Sequence, residues 1–326
     1  MTRRGRQKMM FGAMCLVWGS TWIAMKVGVE AVPPVLFAGT RFIGAGTLLL
    51  AWAHLRGERI LVGREDWLRF AAVTVLMTAL SYALIFWGAV HVSSGLAAVI
   101  DLSFLPIALL GIAVALGEER FDMRRALAIG LGVAGLVILF APRVASELKG
   151  TVMEVWGGLA IIVSAFVYSL GSVLARPLLR RYPPTAMSGA MLLPGGLLMV
   201  AGSLLFEPGA PAALDGRWGW AAWSGWAFLV LFGSLLAYTY YLVLVRDWGA
   251  SRAGTYAFIS PVIAVVLGVV ILDEQVRTSD LVGMAVMLLA SWQALREQDT
   301  AREEPAERPH AFDLVGGSQW STTRDV

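Results

Sequence analysis

Two ionisable side chains stand where charge is costly. Asp101 and Arg41 both fall inside apolar runs long enough to cross a bilayer, and Lys26 lies near the end of another. Asp101 has the chemistry to bind an amine or carry a proton, and Arg41 to hold an anion. Desolvation alone favours the neutral form of an aspartate, whereas a pairing with Arg41 would favour its charged form. A structural Arg41–Asp101 ion pair, making two buried charges tolerable, is the alternative to a binding role. Lys26, close to a helix end, has the further option of snorkelling to the headgroups. Rings supply the other candidates: Trp18 and Trp22, four residues apart and so on one helical face, then Tyr82, Trp87, Tyr168, Tyr238, Tyr241 and Tyr256. A ring-lined cavity with a few polar groups suits amphipathic metabolites or organic cations. Aromatic residues also pack between helices and form interfacial belts, the reading given to Trp87 and Trp248 near run ends.

Other chemistry has less support. With one cysteine, Cys15, and three scattered histidines, His54, His91 and His310, no disulfide framework forms and no metal or cofactor is expected. Gly130, Gly132 and Gly135 fit a dinucleotide-loop pattern, but they lie in an apolar run that no strand precedes, so they read as helix-packing glycines, as do Gly44, Gly46, Gly195 and Gly196. The acidic pairs Glu118-Glu119 and Asp273-Glu274 read as helix-end acids with a gating role through nearby basic residues, since neighbours on a helix point in different directions. Apart from Asp101, the runs hold almost no nucleophile and base pairs, which argues against a membrane-embedded enzyme.

These residues are positioned by ten apolar runs: Met9 to Val27, Val35 to His54, Trp67 to Val90, Leu96 to Leu116, Ala126 to Ala141, Trp156 to Ala175, Met187 to Phe206, Trp220 to Val243, Ala253 to Leu272 and Leu281 to Leu295. Of the 326 residues, 58% are hydrophobic and 15% charged, and the mean hydropathy is +0.70, which excludes a disordered chain, a coiled coil and a soluble nucleic-acid binder. Unpaired backbone amides are costly in lipid, so each run closes its hydrogen bonds as a helix, and none alternates as a barrel strand would. With the amino terminus cytoplasmic, 16 Lys and Arg residues fall in inside loops and four outside, which places both termini in the cytoplasm. Arg41 lies six residues past Val35 and Asp101 five past Leu96, so both sit about 8 to 9 Å inside from the outer face.

The chain repeats itself. Pro33-Pro34 returns as Pro183-Pro184 and Lys26 as Arg176 at an offset of 150; Pro106 with Glu118-Glu119 returns as Pro261 with Asp273-Glu274 at an offset of 155. Five runs per half, an odd number, invert the second half in the membrane. The expected organisation is a basic segment 1–8, a first repeat 9–141, a connection 142–155, a second repeat 156–295 and a disordered cytoplasmic tail 296–326. Pro106 and Pro261, within the fourth and ninth runs, mark expected bends or hinges.

The ordered set Trp18-Gly19-Ser20-Thr21-Trp22, Lys26, Pro33-Pro34 and Thr40-Arg41-Phe42, with the duplicated proline and acidic pair, resembles the EamA family of the drug/metabolite transporter superfamily. Two departures are Gln275 where the first repeat has Arg120, and Ala128 where the second has Gly283. The resemblance implies an all-α polytopic protein of ten helices around a central cavity. It also implies movement of a small metabolite, such as an amino acid, organic cation or similar solute, by alternating access. Export across the inner membrane is the expected direction. A passive channel is the runner-up. The expected partners are a small-molecule solute and the bilayer, with no nucleic acid; a homodimer is compatible with the same reading.

Overall fold

The computed structural model describes residues 2–58, 62–147, 150–272 and 277–301. It contains ten helices long and apolar enough to cross a membrane. They are α1 (Arg3–Val29), α2 (Pro34–Leu55), α3 (Trp67–His91), α4 (Ser94–Ala115), α5 (Met123–Glu147), α6 (Val152–Arg181), α7 (Pro184–Phe206), α8 (Gly219–Trp248), α9 (Tyr256–Leu272) and α10 (Thr278–Ala301). A single turn, Ala250–Ala253, precedes α9.

Several helices outrun their apolar windows. The basic segment expected to precede the first span is its first two turns, begun at Thr2, whose hydroxyl accepts from Gly5 N at 3.2 Å. The polar connection is shorter than expected: α5 runs to Glu147 and α6 starts at Val152, capped by Thr151. Long basic side chains let a helix continue past the hydrocarbon while keeping their charges wet, so hydropathy marks the buried part of a span rather than its ends. Helix α10 likewise continues to Ala301, and the rest of the expected tail, 302–326, lies outside the described residues. So do Asp273-Glu274 and Gln275.

The two halves meet through reciprocal contacts. A Cβ added at Gly46 would lie 2.5 Å from Leu193 N, and one at Gly196 would lie 2.8 Å from Ile43 N. Residues 46 and 196 match at the offset of 150, as do 43 and 193. A Cβ at Gly39 would press on Val200 and Met199, and its match, Gly189, on Leu50 and Leu49. Helices α2 and α7 therefore cross about a local two-fold axis, with backbones closer than any side chain allows. Helices α5 and α10 cross likewise: a Cβ at Gly135 would lie 3.0 Å from Gly283 O, and one at Gly283 2.8 Å from Gly135 O. Gly135 and Gly283 thus face each other across this crossing. Gly132 packs on Phe258, consistent with packing glycines where the dinucleotide pattern falls.

Both prolines sit inside helices that continue through them. The helical irregularity lies elsewhere. Thr74–Leu80 in α3 and Leu229–Tyr238 in α8 are π-helical, with hydrogen bonds running i to i+5, and they begin at positions 155 residues apart. The Ser81 hydroxyl donates to Met77 O at 2.8 Å at the end of the first of these stretches. Nothing in the periodicity of an all-apolar run signals such a shift.

Gly46→Ala is expected to cost about 1–3 kcal/mol through overpacking and to lower Tm in detergent. Gly111→Ala, where a Cβ meets nothing within 4 Å, is expected to be neutral or to raise Tm, since alanine is the better helix former.

Candidate functional site

One cavity, of about 110 Å³, is bounded by both halves. Helix α1 contributes Trp18, Thr21, Trp22 and Met25, α2 Arg41, α3 Ser81, Tyr82, Ile85 and Phe86, and α4 Asp101, Leu102 and Leu105; the second half adds Ser164, Tyr168, Gly233, Tyr256 and Ser260. Seven of the residues singled out in the sequence thus meet here: Trp18, Trp22, Arg41, Tyr82, Asp101, Tyr168 and Tyr256. Four do not line it: Lys26 and Trp87 are exposed, Tyr241 is fully buried, and Tyr238 is buried behind the wall, its hydroxyl 3.3 Å from that of Thr78.

The rings form a continuous wall. Trp18 meets Tyr256 edge-on at 4.4 Å and Tyr241 at 5.3 Å; Tyr241 lies 5.7 Å from Tyr168, which in turn lies 6.3 Å from Tyr82. Such edge-to-face and tilted pairs suit the ring quadrupole and fix each ring's angle. The Trp18 indole donates to Gly233 O at 3.3 Å, and the Tyr241 hydroxyl to Ser172 Oγ at 3.0 Å.

Arg41 lies 6% exposed, with its guanidinium carbon 4.6 Å from the ring centre of Phe42, 5.2 Å from Phe86 and 5.3 Å from Tyr82. Cation–π contacts of this kind hold the charge without neutralising it. Its Nε has no hydrogen-bond partner. The structural ion pair is not formed: no Arg41 nitrogen comes within 4.0 Å of an Asp101 oxygen. Each residue is seven positions into its helix, so the two stand at matching depth on different walls, with the rings holding Arg41 in place of a carboxylate. Two opposite charges facing one apolar space, each without the other, can take a solute that carries both.

Beyond the cavity, the ends carrying the Arg-rich loops are tied across the halves by polar contacts. The Glu119 carboxylate accepts from Arg125 Nη1 at 2.6 Å, from Ser251 N at 3.2 Å and from the Ser251 hydroxyl. Gly249, at φ +92°, passes so near Glu119 that a Cβ would meet its Oε1 at 2.5 Å. Arg176 Nη1 donates to Glu118 O at 3.0 Å. Glu118 and Glu119 thus tie the first repeat to Arg176 and Ser251 of the second. Trp248, expected in an interfacial belt, is instead 9% exposed, its indole donating to Gln7 Oε1 at 3.2 Å and Arg252 lying 4.7 Å from its ring centre. The basic extension of α1 covers it, which a count of apolar residues does not reveal. At the opposite end, Glu207 accepts from Val35 N at 2.9 Å and Leu36 N at 3.0 Å, capping α2, whose own Pro33 offers no side-chain cap. The sequence reading passed over Glu207, whose one signal is an acid just beyond a helix in the other half.

The profile of the EamA-like transporter family matches residues 8–141 and 155–295. The chain belongs to that family. It is 31% identical over 282 residues to the uncharacterized inner membrane transporter YedA of Escherichia coli (strain K12), covering 85% of this chain and 87% of that one. It is 27% identical over 285 residues to the uncharacterized transporter YoaV of Bacillus subtilis (strain 168), covering 85% and 92%. One protein of known crystal structure superposes with a TM-score of 0.76 over 91% of this chain and 99% of its own, at 19% identity, a likeness of fold. The protein is a multi-pass inner-membrane transporter, not an enzyme, and its two EamA domains correspond to two five-helix repeats.

Asp66, just outside α3, ties the repeats at the basic end by accepting from Arg181 Nη1 at 2.9 Å and the Tyr182 hydroxyl at 3.1 Å. Burial pushes its carboxyl up, but those hydrogen bonds and the charges of Arg181 and Arg69 outweigh it and hold the group below the usual carboxylate range. A depressed value stabilises the fold above the unfolded value of about 4, and that contribution fades as pH falls through the folded value. Asp66→Asn is therefore expected to lower Tm at pH 7, with the gap to wild type closing below about pH 4; thermal scans across pH read it.

Proposed function

We propose that the transporter exports a small amphipathic metabolite bearing both a cationic and an anionic group, of the amino acid class, by alternating access. The observation that carries this reading is the cavity between the repeats, with unpaired Arg41 and Asp101 on different walls and rings between them. Arg41 holds the anionic end and Asp101 the ammonium, while Trp18, Trp22, Tyr168 and Tyr256 face the apolar part. When the solute leaves, Asp101 takes a proton in place of the ammonium. That exchange couples solute exit to proton entry and makes export the downhill direction when the outside is acidic.

Orientation follows the basic loops. With 16 Lys and Arg residues on the inside and four outside, both termini are cytoplasmic, and the end tied by Glu119, Arg125 and Ser251 is the cytoplasmic one. Arg41 and Asp101 then lie in the outer half. Lys26, exposed near the outer end of α1, has a headgroup role rather than a solute contact. Pro106 and Pro261 are retained as flexing points, each removing one backbone hydrogen bond from its helix.

Proteoliposome counterflow with a panel of radiolabelled amino acids and organic cations tests the proposal. Saturable uptake is expected, and flux linear in concentration would favour a passive channel. Asp101→Asn is expected to cut transport about tenfold to hundredfold, the worth of a charged hydrogen bond, and to abolish stimulation by an acidic outside. Unchanged rate and pH dependence would remove Asp101 from the mechanism.

A further inference from the structure

Trp18 and Tyr168 occupy matching positions in the two repeats, 150 residues apart, and both line the cavity. Their polar atoms are treated differently. The Trp18 indole donates to Gly233 O at 3.3 Å, within the π-helical stretch of α8. The Tyr168 hydroxyl, on a side chain 7% exposed, makes no hydrogen bond of 3.5 Å or shorter among the described residues, while the Tyr241 hydroxyl near it donates to Ser172. A buried hydroxyl without a partner is destabilising, so the position needs a reason.

The pseudo-symmetry supplies one. The match of Gly233, at the offset of 155, is Thr78, in the π-helical stretch of α3. Tyr168 stands beside that stretch: one turn along α6, a Cβ at Gly171 would lie 2.7 Å from Met77 Cβ, and the Tyr168 ring is 6.3 Å from Tyr82. The two stretches also touch, through the hydroxyls of Thr78 and Tyr238 at 3.3 Å. A π-helical turn differs from an α-helical one by a single residue of register, so a bond to its backbone can bias which register is held.

We propose that Trp18 and Tyr168 are alternating positioning residues. In the conformer described, the Trp18 indole holds the π-helical stretch of α8, and Tyr168 is unengaged. In the conformer of opposite access, the Tyr168 hydroxyl takes the corresponding bond to the π-helical stretch of α3, and Trp18 releases Gly233. The inference rests on the alternating-access reading above, and in it each repeat carries one half of a reciprocal catch.

The test uses the full chain with Cys15→Ala and a reporter, Met25→Cys, on the cavity wall. A membrane-impermeant maleimide is applied to right-side-out and inside-out vesicles, and the ratio of labelling from the two sides is read. Trp18→Phe and Tyr168→Phe, which keep a ring and lose the polar atom, are expected to move this ratio at least about twofold in opposite directions. Tyr168→Phe is also expected to leave Tm unchanged or raise it. Shifts in the same direction, or no shift with a lowered Tm for Tyr168→Phe, would overturn the proposal. If Trp18→Phe does not fold, the Tyr168→Phe ratio decides alone. Full labelling of the parent from both sides without competition would instead bring down alternating access itself, a result distinct from either outcome.

Discussion

In hydrocarbon, lipid tails are as apolar as leucine, so helices associate through close packing rather than the hydrophobic effect. The two repeats are held by such packing at the crossing of α2 and α7. Gly39, Gly46, Gly189 and Gly196 let the backbones approach until an added Cβ would overlap main-chain or side-chain atoms of the facing helix. Because each contact is answered by its symmetric partner, the crossing fixes the inverted relation of the halves as well as their distance. The α5–α10 crossing at Gly135 and Gly283 repeats the device. Everything at the cavity is placed relative to these two crossings.

A symmetric scaffold surrounds an asymmetric lining. At the matched offsets, Arg41 faces the cavity where the second repeat has Met191, and Asp101 where it has Tyr256. Both charges therefore belong to the first repeat, while the second contributes rings and hydroxyls. The asymmetry is confined to the lining and leaves the glycine packing of the halves unchanged. The polar ties at the basic end, from Glu119 to Ser251 and from Asp66 to Arg181, close across the repeat boundary and use none of the residues that line the cavity.

The fold was legible because a bilayer permits few solutions: ten apolar runs, and an offset of 150 that later changes to 155, were enough to infer helices in two inverted sets. The cavity was legible in part, because Asp101 and Arg41 are conspicuous inside apolar runs. What escaped the sequence depends on direction and register. Tyr238 and Tyr168 look alike in a string of letters, yet one faces Thr78 behind the wall and the other the cavity, a difference of helical phase that an all-apolar run does not encode. Trp248 near a span end reads as a belt residue until the extension of α1 is seen to cover it. The shift to π-helix in α3 and α8 leaves hydropathy unchanged, and the cap from Glu207 joins residues some 170 positions apart.

The inverted threading of the repeats is tested most directly at two equivalent loops. Arg56, at the end of α2, and Asp215, beyond the end of α7, are both exposed. Single cysteines placed there, in a Cys15→Ala background, should react on opposite sides: Asp215→Cys with an impermeant maleimide in intact cells, and Arg56→Cys only after the membrane is opened. Reaction of both from the same side would contradict the inverted repeat and with it the account of the cavity.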